Sequence, residues 1–262
     1  MLGVFDSGVG GLSVWRELAA LLPDAPMMYL ADQAHVPYGP RPPDEVRRLT
    51  ERCARWLIDR GCTVVVIACN TASGAALDAL RAAHPATHFV GAEPAIKPAA
   101  LHTRSGIVGV LATQSTLSSA RYASLLARFA GAARVLEQPC PEWVTLVEAG
   151  DALTPRALPI IDARLRPLLD AGADVLVLGC THFPFLLPPI HTVLDARAVQ
   201  VIDPSPAIAR EAARWYDGAR LFEPRREFWT TGDPAHFSQL ASALLGEDVQ
   251  GRRVKSQSGE SE

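Results

Sequence analysis

Strongly apolar runs alternate along this chain with stretches in which apolar residues recur at helical spacing. The clearest runs are VVVI, just before Cys69, and VLVL, just before Cys180. Neither alternates with polar residues, so both predict strands that are buried on both faces, as in parallel sheets. The segment 44–60 shows the apolar spacing of an amphipathic helix. This repeated order of strands and helices predicts an α/β fold with largely parallel sheets.

The predicted elements cover most of the chain. The predicted strands are 2–5, 27–30, 63–68, 89–90, 106–111, 134–137, 174–178 and 227–231. The predicted helices are 12–22, 44–60, 73–83, 115–129, 142–149, 155–171, 205–216 and 234–244.

The second half of the chain repeats the first. GVFDSG at 3–8 aligns with GVLATQ at 109–114, and ACNTAS at 68–73 aligns with GCTHFP at 179–184. The repeat predicts two similar α/β units related by a pseudo-two-fold, with the active site in the cleft between them. We expect the first unit to comprise residues 1–92 plus 206–246 and the second 93–205, with a disordered tail at 247–262.

Cys69 and Cys180 each end a buried strand, and each precedes a predicted helix whose first turn leaves backbone N–H groups unpaired. The carboxyl ends of parallel strands are where open α/β sheets bind ligands. A lone buried cysteine is more often a small hydrophobic residue, but two matched positions favour chemistry. Cys53, Cys62 and Cys140 have no such setting and are expected to be structural.

Two thiols that face one ligand suit the inversion of a carbon atom. One thiolate removes a proton from one face, and the other thiol returns a proton to the opposite face. The rival chemistry, pyridoxal phosphate, needs a lysine for its Schiff base, and the chain contains only Lys97 and Lys255. The sequence therefore favours proton transfer without a cofactor.

Composition excludes several classes of function. The chain has 262 residues and a net charge of −3, which gives no broad basic surface for nucleic acid. No apolar run is long enough for a membrane span, and the N-terminus lacks a signal-peptide pattern, so we expect a cytoplasmic protein without membrane contact. The five cysteines lack zinc-site spacing, and no metal is expected.

Six motifs occur in order across residues 2–235: VFDSGVGGLSV, PYGPR, ACNTAS, LVEAG, GCTHFPFL and TTGDP. Through them the chain resembles the cofactor-independent glutamate racemases, within the aspartate/glutamate racemase family. The resemblance implies an isomerase that interconverts L- and D-glutamate through two cysteines and supplies D-glutamate for peptidoglycan synthesis and hence cell shape. It also implies a homodimer.

The resemblance further implies roles for individual residues. The expected catalytic residues are Cys69 and Cys180, assisted by Asp6, Glu148 and His182. The expected substrate-binding residues are Asp6, Ser7, Pro37, Tyr38, Gly39, Asn70, Thr71, Thr113, Thr181 and His182. By themselves, Asp6 could equally form an Asx-turn, His182 could be structural, and Glu148 could be a solvated helix carboxylate.

One segment departs from the family pattern. Where the family has a Gly-Thr-x-Gly-Thr run, this chain has Ala112-Thr113-Gln114-Ser115-Thr116, so Thr113 is the binding residue most affected. Three other functions stay open at this stage. They are a racemase for aspartate or another acidic amino acid, a hydrolase or decarboxylase that uses Cys180 with His182, and a two-lobed binding protein with inert cysteines.

Overall fold

The computed structural model describes residues 1–218 and 225–254, and their strands form two parallel sheets. The strands are β1 (Leu2–Asp6), β2 (Met27–Ala31), β3 (Val64–Ile67), β4 (His88–Gly91), β5 (Ile107–Ala112), β6 (Arg134–Pro139), β7 (Val175–Gly179), β8 (Gln200–Ile202), β9 (Arg226–Thr230) and β10 (Gly251–Arg253). The α-helices are α1 (Leu12–Leu21), α2 (Pro43–Ile58), α3 (Asn70–Ala83), α4 (Ile96–His102), α5 (Gln114–Leu117), α6 (Ala120–Phe129), α7 (Pro141–Glu148), α8 (Ala157–Asp170), α9 (Leu187–Leu194), α10 (Ser205–Arg214) and α11 (Pro234–Leu245).

The two sheets share one strand order. The larger has the order β10-β9-β2-β1-β3-β4, and the smaller β6-β5-β7-β8. The last four strands of the larger sheet therefore correspond one by one to the smaller sheet, as the internal repeat predicts. Every strand pair described is parallel. The predicted fold class is confirmed, while the exact domain boundaries stay a prediction.

Apolar packing on both faces explains the unbroken apolar runs. In β3, Val64 and Val66 pack into one core while Val65 and Ile67 pack into the core on the opposite face. β7 divides in the same way between two cores. Because both strands have a neighbour on each side, the residues that follow them lie within the carboxyl edge of each sheet rather than at its end.

The structure corrects three sequence predictions. The helix predicted over 115–129 is two helices, because Ser119 Oγ accepts a hydrogen bond from Tyr122 N and starts α6 as its N-cap. Helix α4 and strand β8 were not predicted, and the helix expected after Cys180 is α9, which begins at Leu187 after a 3-10 turn. The tail predicted to be disordered from residue 247 is ordered as far as 254, since β10 pairs with β9, whereas 255–262 lie outside the described residues.

Helices α1 and α10 pack together, and their contact helps to hold the larger sheet against the segment that follows β8. Ser205 Oγ in α10 donates to Ser13 Oγ in α1 over 3.1 Å, and both side chains are buried. Within the described residues, no helix has the length and apolar character required to span a bilayer.

Candidate active site

Cys69 and Cys180 line a single cavity of about 290 Å³ between the carboxyl edges of the two sheets. Both side chains are almost fully buried. The volume falls near the lower limit for small-molecule sites, which suits a ligand of amino-acid size. The residues that line the cavity are Ser7, Pro37, Tyr38, Gly39, Pro40, Cys69, Asn70, Thr71, Thr113, Gln114, Pro141, Glu142, Val144, Thr145, Cys180 and His182.

Cys69 is the N-cap of α3. Its Sγ accepts a hydrogen bond from Ala72 N at 3.5 Å. Burial, and after it the charge of Asp6, raises the pKa of this thiol to about 12. Near neutral pH, Cys69 is therefore a protonated thiol, able to give up a proton when a strong base forms beside it.

Cys180 has a different partner. Its Sγ lies 3.7 Å from Nδ1 of His182, whose Nε2 lies 2.7 Å from Oε1 of Glu148. Burial lowers the pKa of His182, but its hydrogen bonds to Cys180 and Glu148 outweigh burial and hold that pKa well above the ordinary value. His182 is therefore an imidazolium near neutral pH, and its positive charge lies beside the sulfur of Cys180.

Glu148 completes this arrangement from the last residue of α7. Burial raises its pKa, yet the hydrogen bond and charge of His182 lower it below the usual value overall. Oε1 also accepts a hydrogen bond from Val9 N at 2.8 Å, and Oε2 accepts one from Gln33 Nε2 at 3.2 Å. The carboxylate is thus held from the side of the larger sheet while it holds His182.

Asp6 lies behind the Cys69 wall and is fully buried. Its Oδ1 accepts from Gly8 N at 2.9 Å, and its Oδ2 accepts from the Thr181 hydroxyl at 2.9 Å. Burial raises the pKa of this carboxyl, although the charge of His182 and both hydrogen bonds act in the opposite direction. The Asx-turn expected for Asp6 is present, and the same carboxyl also contacts the residue next to Cys180.

The glycines of the DSGVGG loop make room for these side chains. A Cβ at Gly8 would lie 1.9 Å from Glu148 Oε1, and a Cβ at Gly10 would lie 2.3 Å from His182 Nδ1. A Cβ at Gly11 would lie 2.7 Å from the Cβ of Asp6. Larger residues at these positions would displace the side chains of Glu148, His182 and Asp6. This close approach explains why the loop is rich in glycine, and no nucleotide phosphate is needed to explain it.

Three threonine hydroxyls meet across the cleft. Thr71 Oγ1 lies 2.9 Å from Thr113 Oγ1, which lies 2.9 Å from Thr116 Oγ1. Thr113 thus reaches the cavity although glycines are missing on both sides of it. The amide nitrogen of Asn70 is buried and has no hydrogen-bond partner among the described residues. This cavity therefore contains an unused donor next to a cluster of hydroxyls.

The structure brings most of the predicted site residues together. Ten of them line the cavity, whereas Asp6, Glu148 and Thr181 lie behind its wall and touch the residues that do. Sequence reasoning missed six lining residues, namely Pro40, Gln114, Pro141, Glu142, Val144 and Thr145. Four of the six belong to the first turns of α7, directly before the LVEAG motif, and that proximity was the only signal for them.

Other groups of interest lie elsewhere. Cys53, Cys62 and Cys140 are buried outside this cavity, and burial raises the pKa of each thiol. Lys97 Nζ lies 5.7 Å from the centroid of the Phe129 ring, away from both catalytic walls. A larger cavity of about 840 Å³ between α2 and the end of β10 includes neither Cys69 nor Cys180 in its lining.

Comparison with known proteins gives consistent relatives. Residues 12–212 match the family described as Asp/Glu/Hydantoin racemase. The chain is 46% identical over 259 residues to the glutamate racemase of Pseudomonas entomophila, which covers 97% of this chain and 96% of the relative. It is 45% identical over 249 residues to the glutamate racemase of Roseiflexus sp., and the match covers 93% of this chain and 91% of the relative.

Solved structures agree with this result. The Escherichia coli glutamate racemase in complex with L-glutamate and the activator UDP-MurNAc-Ala superposes with a TM-score of 0.85 at 32% identity, and 96% of each chain is covered. The Francisella tularensis glutamate racemase in complex with D-glutamate has a TM-score of 0.83 at 28% identity, and 98% of each chain is covered. The similarity therefore extends over both sheets and the cavity between them.

Proposed function

The chain belongs to the Asp/Glu/Hydantoin racemase family, and we propose that it interconverts L- and D-glutamate by moving the Cα proton between Cys69 and Cys180. The relatives that match nearly the whole chain are named glutamate racemases. The observation that carries the proposed mechanism is that both cysteines line one cavity. The sequence-based assignment to this family is confirmed.

The reaction requires one thiolate and one thiol. The thiolate takes the Cα proton, so that a Cα–H bond breaks, an S–H bond forms and the electron pair stays on Cα. The opposite thiol then gives its proton to the other face of Cα and becomes the new thiolate. The step needs no redox change and no added cofactor. After one turnover the two sulfurs have exchanged roles, so the protein is ready for the reverse reaction.

The two walls are set for opposite starting roles. His182, as an imidazolium 3.7 Å from the sulfur, supports Cys180 as the initial thiolate. The raised pKa of about 12 supports Cys69 as the initial proton donor. A pair that began with two thiols, or with two thiolates, would lack either the base or the acid.

Hydrogen-bond donors on the cavity wall would hold the substrate. The side-chain amide of Asn70, which has no partner in the part of the chain that the structure describes, suits a carboxylate oxygen, as do the hydroxyls of Thr71 and Thr113 and the backbone N–H groups that open α3. Ser7 and Tyr38 line the same wall. None of the residues that line the cavity is Lys or Arg, so the cation in its lining is the His182 imidazolium beside Cys180.

The same proposal includes the cellular setting. A cytoplasmic homodimer that supplies D-glutamate for peptidoglycan synthesis, without nucleic-acid or membrane contacts, is what the family membership favours. The relatives do not favour the alternative of a single-cysteine hydrolase or decarboxylase. A pocket for aspartate would need shorter spacing between the donors for the two carboxylates.

The test follows circular dichroism of each glutamate enantiomer in heavy water without added cofactor. We expect the signal of either enantiomer to decay to zero, with deuterium at Cα of the product. Cys69→Ala and Cys180→Ala should each abolish racemisation, while Cys53→Ala, which changes a buried thiol outside the cavity, should not. A covalent adduct at Cys180 together with turnover that survives Cys69→Ala would overturn the proposal.

A further inference from the structure

Strand β9, which has no counterpart in the smaller sheet, brings Thr230 to the edge of the site beside Gln33, which follows β2. It pairs with β2 so that Thr230 lies beside Ala31, and the residues after both strands meet at one edge. Thr230 is fully buried, and its Oγ1 donates to Gln33 Oε1 over 3.2 Å. Gln33 Nε2 in turn donates to Glu148 Oε2 over 3.2 Å.

The hydrogen bonds around Thr230 have a defined direction. Gly232 N donates to Thr230 Oγ1 at 3.0 Å, so the hydroxyl proton is available for Gln33. An amide carbonyl that accepts from Thr230 must turn its NH₂ group towards Glu148. The reversed amide would place its oxygen against the carboxylate, where the two acceptors repel.

A second contact, with Gly232, also fixes the position of the Gln33 side chain. A Cβ at Gly232 would lie 2.9 Å from the Cβ of Gln33, so the TTGDP turn needs glycine there to approach the Gln33 side chain. The motif therefore provides both the donor and the space for one orientation of the Gln33 amide.

Gln33 matters because Glu148 has two oxygens with different tasks. Oε1 accepts from His182 Nε2 at 2.7 Å and from Val9 N at 2.8 Å. Oε2 is held by Gln33, and without that bond the carboxylate could rotate about its Cγ–Cδ bond and carry Oε1 away from the imidazole. The imidazole in turn presents Nδ1 to Cys180 Sγ.

We propose that Thr230 and Gln33 are positioning residues for the Cys180 side of the site. The contacts run in order from Thr230 through Gln33, Glu148 and His182 to Cys180. Neither Thr230 nor Gln33 lines the cavity, so neither acts on the substrate directly. This inference deepens the proposed function and rests on it for its kinetic consequence, although its effect on the Cys180 thiol does not need turnover.

The test compares Thr230→Val, which keeps the shape but removes the hydroxyl, with Thr230→Ser, which keeps the hydroxyl. Gln33→Leu and the double variant complete the set. Gln33→Leu removes a hydrogen bond to the Glu148 carboxylate, and Thr230→Val removes the donor that orients the Gln33 amide, so we expect each variant to lower kcat about tenfold. Because both act through one chain of contacts, the double variant should lose no more than either single one. Thr230→Ser should retain the wild-type rate.

Alkylation near neutral pH, followed by mass spectrometry of each cysteine, distinguishes positioning from general loosening. We expect iodoacetamide to modify Cys180 more slowly in Thr230→Val by a factor similar to the loss in kcat, with Cys69 unchanged. Equal changes at both cysteines, or none at Cys180, would overturn the proposal. If the wild type does not racemise glutamate, the proposed function fails, while the Cys180 comparison still decides this inference.

Discussion

Gly10→Ala is expected to disable the Cys180 side of the site although it replaces none of the side chains that perform chemistry. A Cβ on residue 10 would lie 2.3 Å from His182 Nδ1, 2.6 Å from Cε1 and 2.7 Å from Cγ. These distances are far shorter than an ordinary contact. Nδ1 is the atom that faces Cys180 Sγ at 3.7 Å, so the added methyl group acts on the contact that supports the thiolate.

The size of the effect follows from these distances. To regain an ordinary contact of about 3.5 Å, the imidazole must move by roughly 1 Å. The ring is only 2% exposed, so it has no open space to enter, and a shift strains its 2.7 Å bond to Glu148. Misplacement by about 1 Å typically costs about 100-fold in rate, so we expect kcat/KM to fall about 100-fold. Both directions must fall equally, because the equilibrium constant of a racemisation is unity.

The assay is the circular dichroism time course of each enantiomer, with thermal melting of the same samples to establish that the variant is folded. Gly74→Ala is the matched control. Gly74 lies inside α3, and a Cβ there would lie at an ordinary contact distance of 3.4 Å from Ser119. Alanine in the middle of a helix is more stable than glycine by about 0.5–1 kcal/mol. A folded Gly10→Ala protein with kcat/KM within about threefold of wild type would refute the role assigned to His182.

Three further predictions concern single groups. Asp6→Asn removes the second largest cause of the raised Cys69 pKa, so alkylation of Cys69 should reach half its maximal rate at a lower pH, and an unchanged profile would contradict the electrostatic link. Because the pKa of His182 is raised on folding, the stability it contributes is complete below its unfolded pKa of about 6.5 and is lost as pH rises through the folded value. Urea titrations should therefore show wild type losing stability relative to His182→Asn in that alkaline window, and parallel curves would exclude the ion pair with Glu148. Asn70→Ala removes a side-chain donor that has no partner within residues 1–218 and 225–254, so KM should rise about tenfold with little change in melting temperature, and an unaltered KM would remove Asn70 from the substrate site.

The sequence predicts the central strands and both cysteines because they depend on strong local signals. A run such as VVVI is apolar on both faces only if both faces are covered, and the structure covers them with two separate cores. The position of Cys69 after such a strand then follows from the chain direction. Since β1 and β5 occupy the same place in matching strand orders, the repeat also predicts that two carboxyl edges bear similar loops.

Other features depend on contacts between distant segments and leave no local pattern. Gln33 is an ordinary polar loop residue until the pairing of β2 with β9 and the placement of α7 bring Thr230 and Glu148 to it. The edge strand β10 has the sequence GRR, whose charged residues resemble a solvated tail. By contrast, Ser119 is a standard N-cap and marked the division of the helix predicted over 115–129.

The acid–base groups beside each cysteine belong to its own half of the molecule, and in each half one of them is hydrogen-bonded across the cleft. Glu148, which follows the smaller sheet's β6, holds His182 only while Val9 N, from the loop after β1, holds Glu148. Asp6, at the end of β1, accepts a hydrogen bond from Thr181, which follows β7. A separation of the two edges by a single hydrogen-bond length would break both contacts at once. The surroundings of both sulfurs therefore depend on how the two edges meet, and the proposed transfer of one proton through a substrate requires both sulfurs at once.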